Sequence, residues 1–389
     1  MSDFEFSERL ANLPPYLFAE IDKAKRQAKA AGRDIVDLGI GDPDLPTPSH
    51  IINALHKASL EPDNHHYALD SGLPQLRHAI AKWYKKRFKV ELDPDTEVLP
   101  LIGSKEGIAH MPLAFINPGD YVFVPDPCYP PYKNGTIFAG GVPYLMPLLA
   151  ENDFLPDLGK IGADAVNKAK MIFVNYPNNP TGAVADEEFY KKVLDFAHRN
   201  NLLICSDAAY SEVCYDKYRP MSILQMVGAR DRAVEFHSLS KTYNMTGWRI
   251  GWACGNKKAI QGLAKVKSNI DSGIFQAVQL AGIAALEGPQ EPVAKANKIY
   301  KERRDALVNG LNLLGWKVPK PKASFYVWAR NLQGYDSASL AKALLEKADI
   351  IVTPGNGFGR NGEGYIRMAL TVSKDRIKTA VQRIRKFLK

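Results

Sequence analysis

Met171-Ile172-Phe173-Val174-Asn175-Tyr176-Pro177-Asn178-Asn179-Pro180-Thr181-Gly182 decides the fold. Its first four residues are apolar without alternation, as in a strand buried on both faces. The run stops in a loop punctuated by Pro177 and Pro180. Asp186 to Asn200 then reads as an amphipathic helix, and Leu202 to Cys205 is a second apolar run ending at Ser206-Asp207. Strand, helix and strand in this pattern indicate parallel strands covered by helices.

Working outward, the pattern repeats. Glu97 to Ile102 reads as a strand broken by Gly103-Ser104-Lys105, with a helix to about Phe115. Tyr121 to Val124 is a strand ended by Pro125-Asp126-Pro127, and Ala233 and Ile250 open two more apolar runs. This α/β zone extends to about Leu286. Before it, Ile35 to Gly41 is a short strand, Ser49 caps a helix through about Leu60, and Gly72-Leu73-Pro74 opens another reaching Phe88. Beyond Gly288-Pro289 comes a long helix, Glu291 to Leu314. Strands follow near Phe325 to Ala329, Ile350 to Thr353 and Tyr365 to Ala369, with a helix between the first two. The last helix, Lys374 to Leu388, keeps Ile377, Val381, Ile384 and Leu388 on one face. The expected class is α/β: a large domain with a mainly parallel sheet, and a smaller α+β domain built from both chain ends. The divisions fall at 1–48 (arm and part of the small domain), 49–288 (large domain) and 289–389 (small C-terminal domain). In the arm, Leu13-Pro14-Pro15-Tyr16-Leu17-Phe18 is apolar and is expected to lie on another surface such as a partner subunit.

Composition is ordinary globular. Of 389 residues, 46% are hydrophobic and 24% charged, which excludes a disordered or collagen-like chain. The formal charge of +9 is compatible with anionic partners, yet the basic residues are scattered with no block interleaved with aromatics, which speaks against nucleic acid. Cys128, Cys205, Cys214 and Cys254 are widely spaced, so they read as reduced thiols of a cytosolic protein and not as a disulfide frame or zinc site. No metal site is expected. There is no basic-then-apolar leader at the start, and no apolar run approaches the ~20 residues that span a bilayer.

Ligands of doubly wound sheets bind at the carboxyl ends of the strands, where the unusual residues gather. Ser238-Leu239-Ser240-Lys241 follows one strand and Arg249 precedes the next. A desolvated lysine favours its neutral amine, which attacks carbonyl carbon. Two hydroxyls and a planar cation suit a phosphate. The combination suggests a lysine holding a phosphorylated aldehyde, such as pyridoxal 5'-phosphate. Gly103-Ser104-Lys105 opens a helix whose N–H groups suit a phosphate. Tyr129, in a proline-stiffened loop, suits stacking on a planar ring. Asn179 can donate to a phenolate oxygen. Asp207, with Tyr210 three residues on, is costly to bury unless it pairs with a cation such as a pyridinium N–H. Arg367, inside an apolar strand, needs a carboxylate from the protein or a substrate. Each has a plainer alternative: a solvated turn at Ser238–Lys241, an ordinary turn at Gly103, a packed tyrosine at Tyr129, a helix N-cap at Asp207, a structural salt bridge at Arg367.

Taken in order, Asn179-Pro180-Thr181-Gly182, Asp207-x-x-Tyr210, Ser238-x-Ser240-Lys241 and Arg249 resemble the class I/II aminotransferases, fold type I of the pyridoxal-phosphate enzymes. The resemblance runs from Tyr16 to the final helix. It implies that Lys241 carries the cofactor and moves a proton, that Asp207 pairs with the pyridine nitrogen, and that Tyr210 and Asn179 hold the ring oxygen. It places Tyr129 on the ring and Ser104, Lys105, Ser238 and Arg249 at the phosphate, with Ser240 close by. Tyr67, in Tyr67-x-x-x-x-Gly72, would reach the phosphate of the neighbouring subunit of a homodimer with shared sites. Arg367 would take the substrate α-carboxylate, with Gly41, Tyr16, Lys105, Tyr129 and Asn179 also facing substrate. Within the family, Pro15 to Phe18, Ile40 to Asp44, Ile102 to Gly107, Asn175 to Gly182 and His237 to Gly251 resemble a branch that exchanges an amino group between LL-2,6-diaminopimelate and 2-oxoglutarate, in lysine biosynthesis. Asp70, three residues past Tyr67, is a candidate for the distal ammonium; a solvated loop carboxylate is the alternative. Donors such as alanine, aspartate or aromatic amino acids, or a β-lyase reaction on the same scaffold, are the other readings.

Overall fold

The computed structural model describes residues 4–11, 13, 25–28, 30–68 and 70–389. Tyr16 and most of the apolar arm lie outside them. The strands are β1 (Val36–Asp37), β2 (Val98–Leu101), β3 (Tyr121–Asp126), β4 (Val142–Pro147), β5 (Ala169–Asn175), β6 (Leu203–Asp207), β7 (Ala233–Ser238), β8 (Gly251–Gly255), β9 (Tyr326–Arg330), β10 (Ile350–Ile351), β11 (Thr353–Pro354) and β12 (Tyr365–Ala369). Seven form one sheet in the order β2-β8-β7-β6-β5-β3-β4. β8 runs antiparallel to both neighbours, and the pairs from β7 to β4 are parallel. The expected mainly parallel α/β sheet is the one present.

Both faces are buried, which explains the unbroken apolar runs. Met171 and Phe173 pack with Ile108, Met111 and Leu263 from the helices Ser104–Phe115 and Lys257–Lys267. Ile172 and Val174 join Ile80, Val193 and Ala281 from Pro74–Phe88, Glu187–Arg199 and Gln276–Glu287. Burying a side chain of this size contributes roughly 1.5–3 kcal/mol, which strands with two buried faces collect twice per pleat. Asp186 caps its helix by accepting the Phe189 N–H at 2.9 Å.

Both chain ends meet in a second core. Val36 and Leu38 pack with Leu307, Phe325, Val327, Ile350, Met368 and Ile377. β1 pairs parallel with β10, while β11, β12 and β9 form an antiparallel sheet.

Two expectations need correction, and one strand was not anticipated. Ser49 does not cap a helix: Pro48 occupies the N-cap without a side-chain bond, and Ser49 is the first helical residue. The run Ile350 to Thr353 is not one strand, because Ile350–Ile351 pairs with β1 and Thr353–Pro354 with β12. β4 carries no strand signal, since Pro143 and Pro147 argue against one; they are tolerated because β4 is the sheet edge. All four cysteines are buried and free. Among the described residues no helix is long and apolar enough to cross a membrane.

Candidate active site

The carboxyl ends of β5, β6 and β7, the turn after β2 and the edge of the smaller sheet surround a cavity of about 310 Å³. Its amine comes from β7. The Ser238 hydroxyl at the strand's end accepts the Ser240 N–H at 3.1 Å and starts the single helical turn Leu239–Thr242 that carries Lys241. Lys241 Nζ donates to the Gly41 carbonyl at 3.2 Å. Burial pulls this amine down to about 8; Asp42 opposes that, and Arg249 and Arg367 add to it. About a tenth of Lys241 is therefore neutral at pH 7, against roughly one in 2,500 for an ordinary lysine.

The cavity's carboxylate comes from β6. Asp207 is 4% exposed. Its Oδ2 accepts the Tyr132 hydroxyl at 2.6 Å and its Oδ1 the Ala209 N–H at 3.1 Å. Burial raises its carboxyl above the usual range, while these donors and His237 pull the other way. The N-cap alternative is not realised, since a turn and no helix follows Asp207. Asn175 ties the neighbouring strand ends together: its amide donates to the Asp207 carbonyl at 2.8 Å and accepts the Asn179 N–H at 2.9 Å. Asn178 accepts both the N–H and the hydroxyl of Thr181. The asparagine–proline loop is thus braced from within and holds Asn179 over the cavity.

Arg367, on β12, is 1% exposed. It donates to Asn179 Oδ1 at 2.7 Å and to the Gly39 carbonyl at 2.8 Å. Its guanidinium carbon lies 4.1 Å from the Tyr326 ring centroid and 4.7 Å from that of Phe358. At the opposite corner, Gly103 adopts φ +76°, where a Cβ would come within 2.4 Å of an Arg249 nitrogen. The helix Ser104–Phe115 begins there, and Glu106 turns back to accept the Ile102 N–H. Arg249 sits at φ +55°, a strained conformation for a side chain of this size, and donates to the Thr246 carbonyl at 2.8 Å. Leu101 and Ser238 both pair with Gly251 across β8, which gathers Ser104, Ser238 and Arg249.

Lys105, Tyr129, Tyr210, Ser240 and Gly41 also line the cavity. Tyr129 meets Tyr132 edge-on at 5.9 Å, and the Tyr210 hydroxyl lies 3.1 Å from that of Tyr326. Tyr67 does not line it. It is 89% exposed, in a shallow depression with Gly273 and Phe275. Asp70 is exposed nearby. Tyr132, Tyr326 and Asn175 are further residues of the site, not among the sequence candidates; Tyr132 and Asn175 stand inside loops already singled out, and Tyr326 has no signal of its own. A larger surface cleft of about 930 Å³ beside the helix Glu187–Arg199 contains none of these groups.

The donor set fits pyridoxal 5'-phosphate. One cavity holds an amine kept partly neutral, a buried carboxylate for a ring N–H, an amide and a phenol for a ring oxygen, and a helix N-terminus with hydroxyls and a guanidinium for a phosphate.

The profile of the family "Aminotransferase class I and II" matches residues 33–384. The LL-diaminopimelate aminotransferase of Moorella thermoacetica is 56% identical over 98% of this chain and 98% of its own length. That of Maridesulfovibrio salexigens is 56% identical over 100% of both chains. Among solved structures, substrate-bound BacF from Bacillus subtilis superposes with a TM-score of 0.95 at 39% identity, covering 99% of this chain and 98% of that one.

Proposed function

The chain belongs to the class I and II aminotransferases, and from that membership we propose that it moves an amino group between LL-2,6-diaminopimelate and 2-oxoglutarate. In the opposite direction it converts tetrahydrodipicolinate to LL-diaminopimelate in lysine biosynthesis. It is an enzyme dependent on pyridoxal 5'-phosphate. The chemistry rests on one observation: a lysine amine pulled down to about 8 shares its cavity with a buried aspartate. The donor is supported by relatives of that name, 56% identical along nearly the whole chain.

Bound in the cavity, the cofactor supplies a carbonyl that captures the donor's amine and a ring that takes up the electron pair from the α-carbon. The protein's residues do the rest. Lys241 Nζ would take the proton from the substrate α-carbon and deliver it to the cofactor carbon on the far side of the transferred nitrogen. Asp207 stays ionised against the ring N–H. Asn179 and Tyr210 donate to the ring oxygen, and Tyr129 covers the ring. Ser104, Lys105, Ser238 and Arg249 hold the phosphate, with Ser240 beside them. Arg367 grips the α-carboxylate as a planar fork, and Gly41, Lys105 and Tyr16 complete the substrate's surroundings.

The same reading makes the protein a cytoplasmic homodimer, without nucleic-acid or membrane partners. It divides the chain at residues 48 and 288. Tyr67, exposed in its own subunit, reaches the neighbour's phosphate, and Asp70 accompanies it toward the distal ammonium. Asp70→Asn is then expected to weaken the half-reaction with diaminopimelate and spare that with 2-oxoglutarate; equal loss in both removes Asp70 from the site.

A panel of donors tests the reading as a whole. Activity is expected with LL-diaminopimelate, with the meso isomer as the stereochemical control. Activity confined to alanine, aspartate or aromatic donors refutes it, and pyruvate release from a cysteine conjugate without an acceptor marks a lyase. Borohydride reduction of the holoenzyme is expected to fix the cofactor on Lys241; recovery on another lysine overturns the site.

A further inference from the structure

Tyr326 opens β9, far in sequence from Lys241, Asp207 and Asn179. It lines the same cavity and is buried. Three site residues from three separate segments touch it. Its hydroxyl lies 3.1 Å from the Tyr210 hydroxyl, with ring centroids 5.5 Å apart. The Arg367 guanidinium carbon lies over its face, 4.1 Å from the centroid. Gly41 has no room for a side chain because of it: a Cβ there would stand 2.1 Å from the Tyr326 oxygen.

Packing against Arg367 accounts for the ring, which phenylalanine would keep, and not for the hydroxyl's approach to Tyr210. Burial raises Tyr210 well above the ordinary phenol range, so it stays a neutral phenol with one proton to donate. Where two phenol hydroxyls meet, one donates to the other, and the acceptor's proton is left to point elsewhere. We propose that Tyr326 is a positioning residue: its hydroxyl donates to the Tyr210 oxygen and so aims the Tyr210 O–H into the cavity, while its ring face backs the Arg367 fork. The proposal rests on the reading of Tyr210 as donor to the cofactor's ring oxygen and of Arg367 as the carboxylate clamp. Hydrogen bonds in series polarise one another, so Tyr210 also becomes the stronger donor. A donor at the ring oxygen stabilises negative charge there. It therefore lowers the pH at which the lysine-bound cofactor loses its proton.

Titration of the holoenzyme's visible absorbance reads this without turnover. Tyr326→Phe is expected to raise the absorbance midpoint by roughly 0.5–1 pH unit, the worth of one hydrogen bond. Tyr210→Phe is expected to raise it further, and the double variant to match Tyr210→Phe alone, because the two act in series. An unchanged midpoint in Tyr326→Phe beside a shift in Tyr210→Phe overturns the inference and leaves the reading of Tyr210 standing. A Tyr326→Phe shift that persists in the Tyr210→Phe background overturns it too, since Tyr326 then acts on the cofactor directly. No shift in Tyr210→Phe refutes the reading of Tyr210, and the inference falls with it. For the ring, Tyr326→Leu is expected to weaken binding of glutarate, a non-reacting dicarboxylate, roughly tenfold, with Tyr326→Phe near wild type. Equal glutarate affinity in all three proteins overturns the role at Arg367.

Discussion

Burial acts on Lys241 and Asp207 in opposite senses, favouring the neutral amine and the neutral acid. Only the first suits the proposed chemistry, in which Asp207 would stay ionised to pair with a ring N–H. The Tyr132 hydroxyl at 2.6 Å is the protein's largest force in that direction. Tyr132→Phe removes it while keeping the ring stacked on Phe173. The cofactor's dissociation constant, followed by fluorescence quenching, is expected to rise about tenfold, the lower end for a hydrogen bond to a charged group. An unchanged constant means that Asp207 needs no help. For Lys241 the sign runs the other way. Its value in the folded protein, about 8, lies below the ordinary lysine range, so the neutral form grows in through pH 7–9 and then saturates. In cofactor-free protein, labelling of Lys241 by an amine-directed acylating reagent is expected to climb about tenfold per pH unit below 8 and to level off above. Exposed lysines, mapped in the same digest, continue climbing past pH 9. A Lys241 profile parallel to theirs refutes the desolvated amine.

At the scale of elements, each strand end presents a residue that sequence order already exposes. Asn175, Asp207 and Ser238 close β5, β6 and β7, and an apolar run that stops at a polar residue is a local signal. That made the sheet, and most of the cavity wall, legible in the sequence. Tyr132 and Tyr326 were not legible, because nothing near either residue refers to Asp207 or Tyr210. Their roles exist only once the helix Pro131–Phe138 and β9 are packed against the main sheet. The same limit hides an ion triad built on a buried lysine. Lys267, 1% exposed, closes the helix Lys257–Lys267 and donates to Glu106 at 3.1 Å and to Asp271 at 2.6 Å. Glu106 sits in the first turn of the helix that starts at Ser104, and Asp271 holds the Gly273 N–H in the loop leading to Phe275. The triad thus joins the proposed phosphate corner to the surface depression around Tyr67. Lys267→Met leaves two carboxylates facing each other without a cation, at a cost of about 3–5 kcal/mol. The melting temperature is expected to fall by roughly 4–6 °C, and Lys267→Met/Glu106→Gln to recover part of the loss, because glutamine still accepts the Ile102 N–H. If the double variant melts below the single one, the triad is not the stabilising unit.

For the whole molecule, the informative residues are those that do not enter the cavity. Tyr67 is 89% exposed, and Leu60, Ile270 and Phe275 are also exposed apolar residues. The loop carrying Gly273 and Phe275 borders the same depression as Tyr67. Scattered apolar residues need no explanation, but Tyr67 and Phe275 exposed around one depression suit a covered surface. In the proposed twofold dimer this surface would be covered by the neighbouring subunit, and Tyr67 would reach that subunit's phosphate corner. The proposal then makes a prediction that single variants cannot. Each site would combine Lys241 of one subunit with Tyr67 of the other. In a hybrid of a Lys241→Ala subunit with a Tyr67→Phe subunit, one site has lost both groups and the other has kept both. When the two inactive or weakened proteins are mixed, unfolded and refolded together, roughly half of the dimers are hybrids. Cofactor affinity titrated on the mixture is expected to show a wild-type class of sites absent from either parent. If Tyr67 serves its own subunit, every site in the mixture lacks one group, no wild-type class appears, and the shared site is refuted.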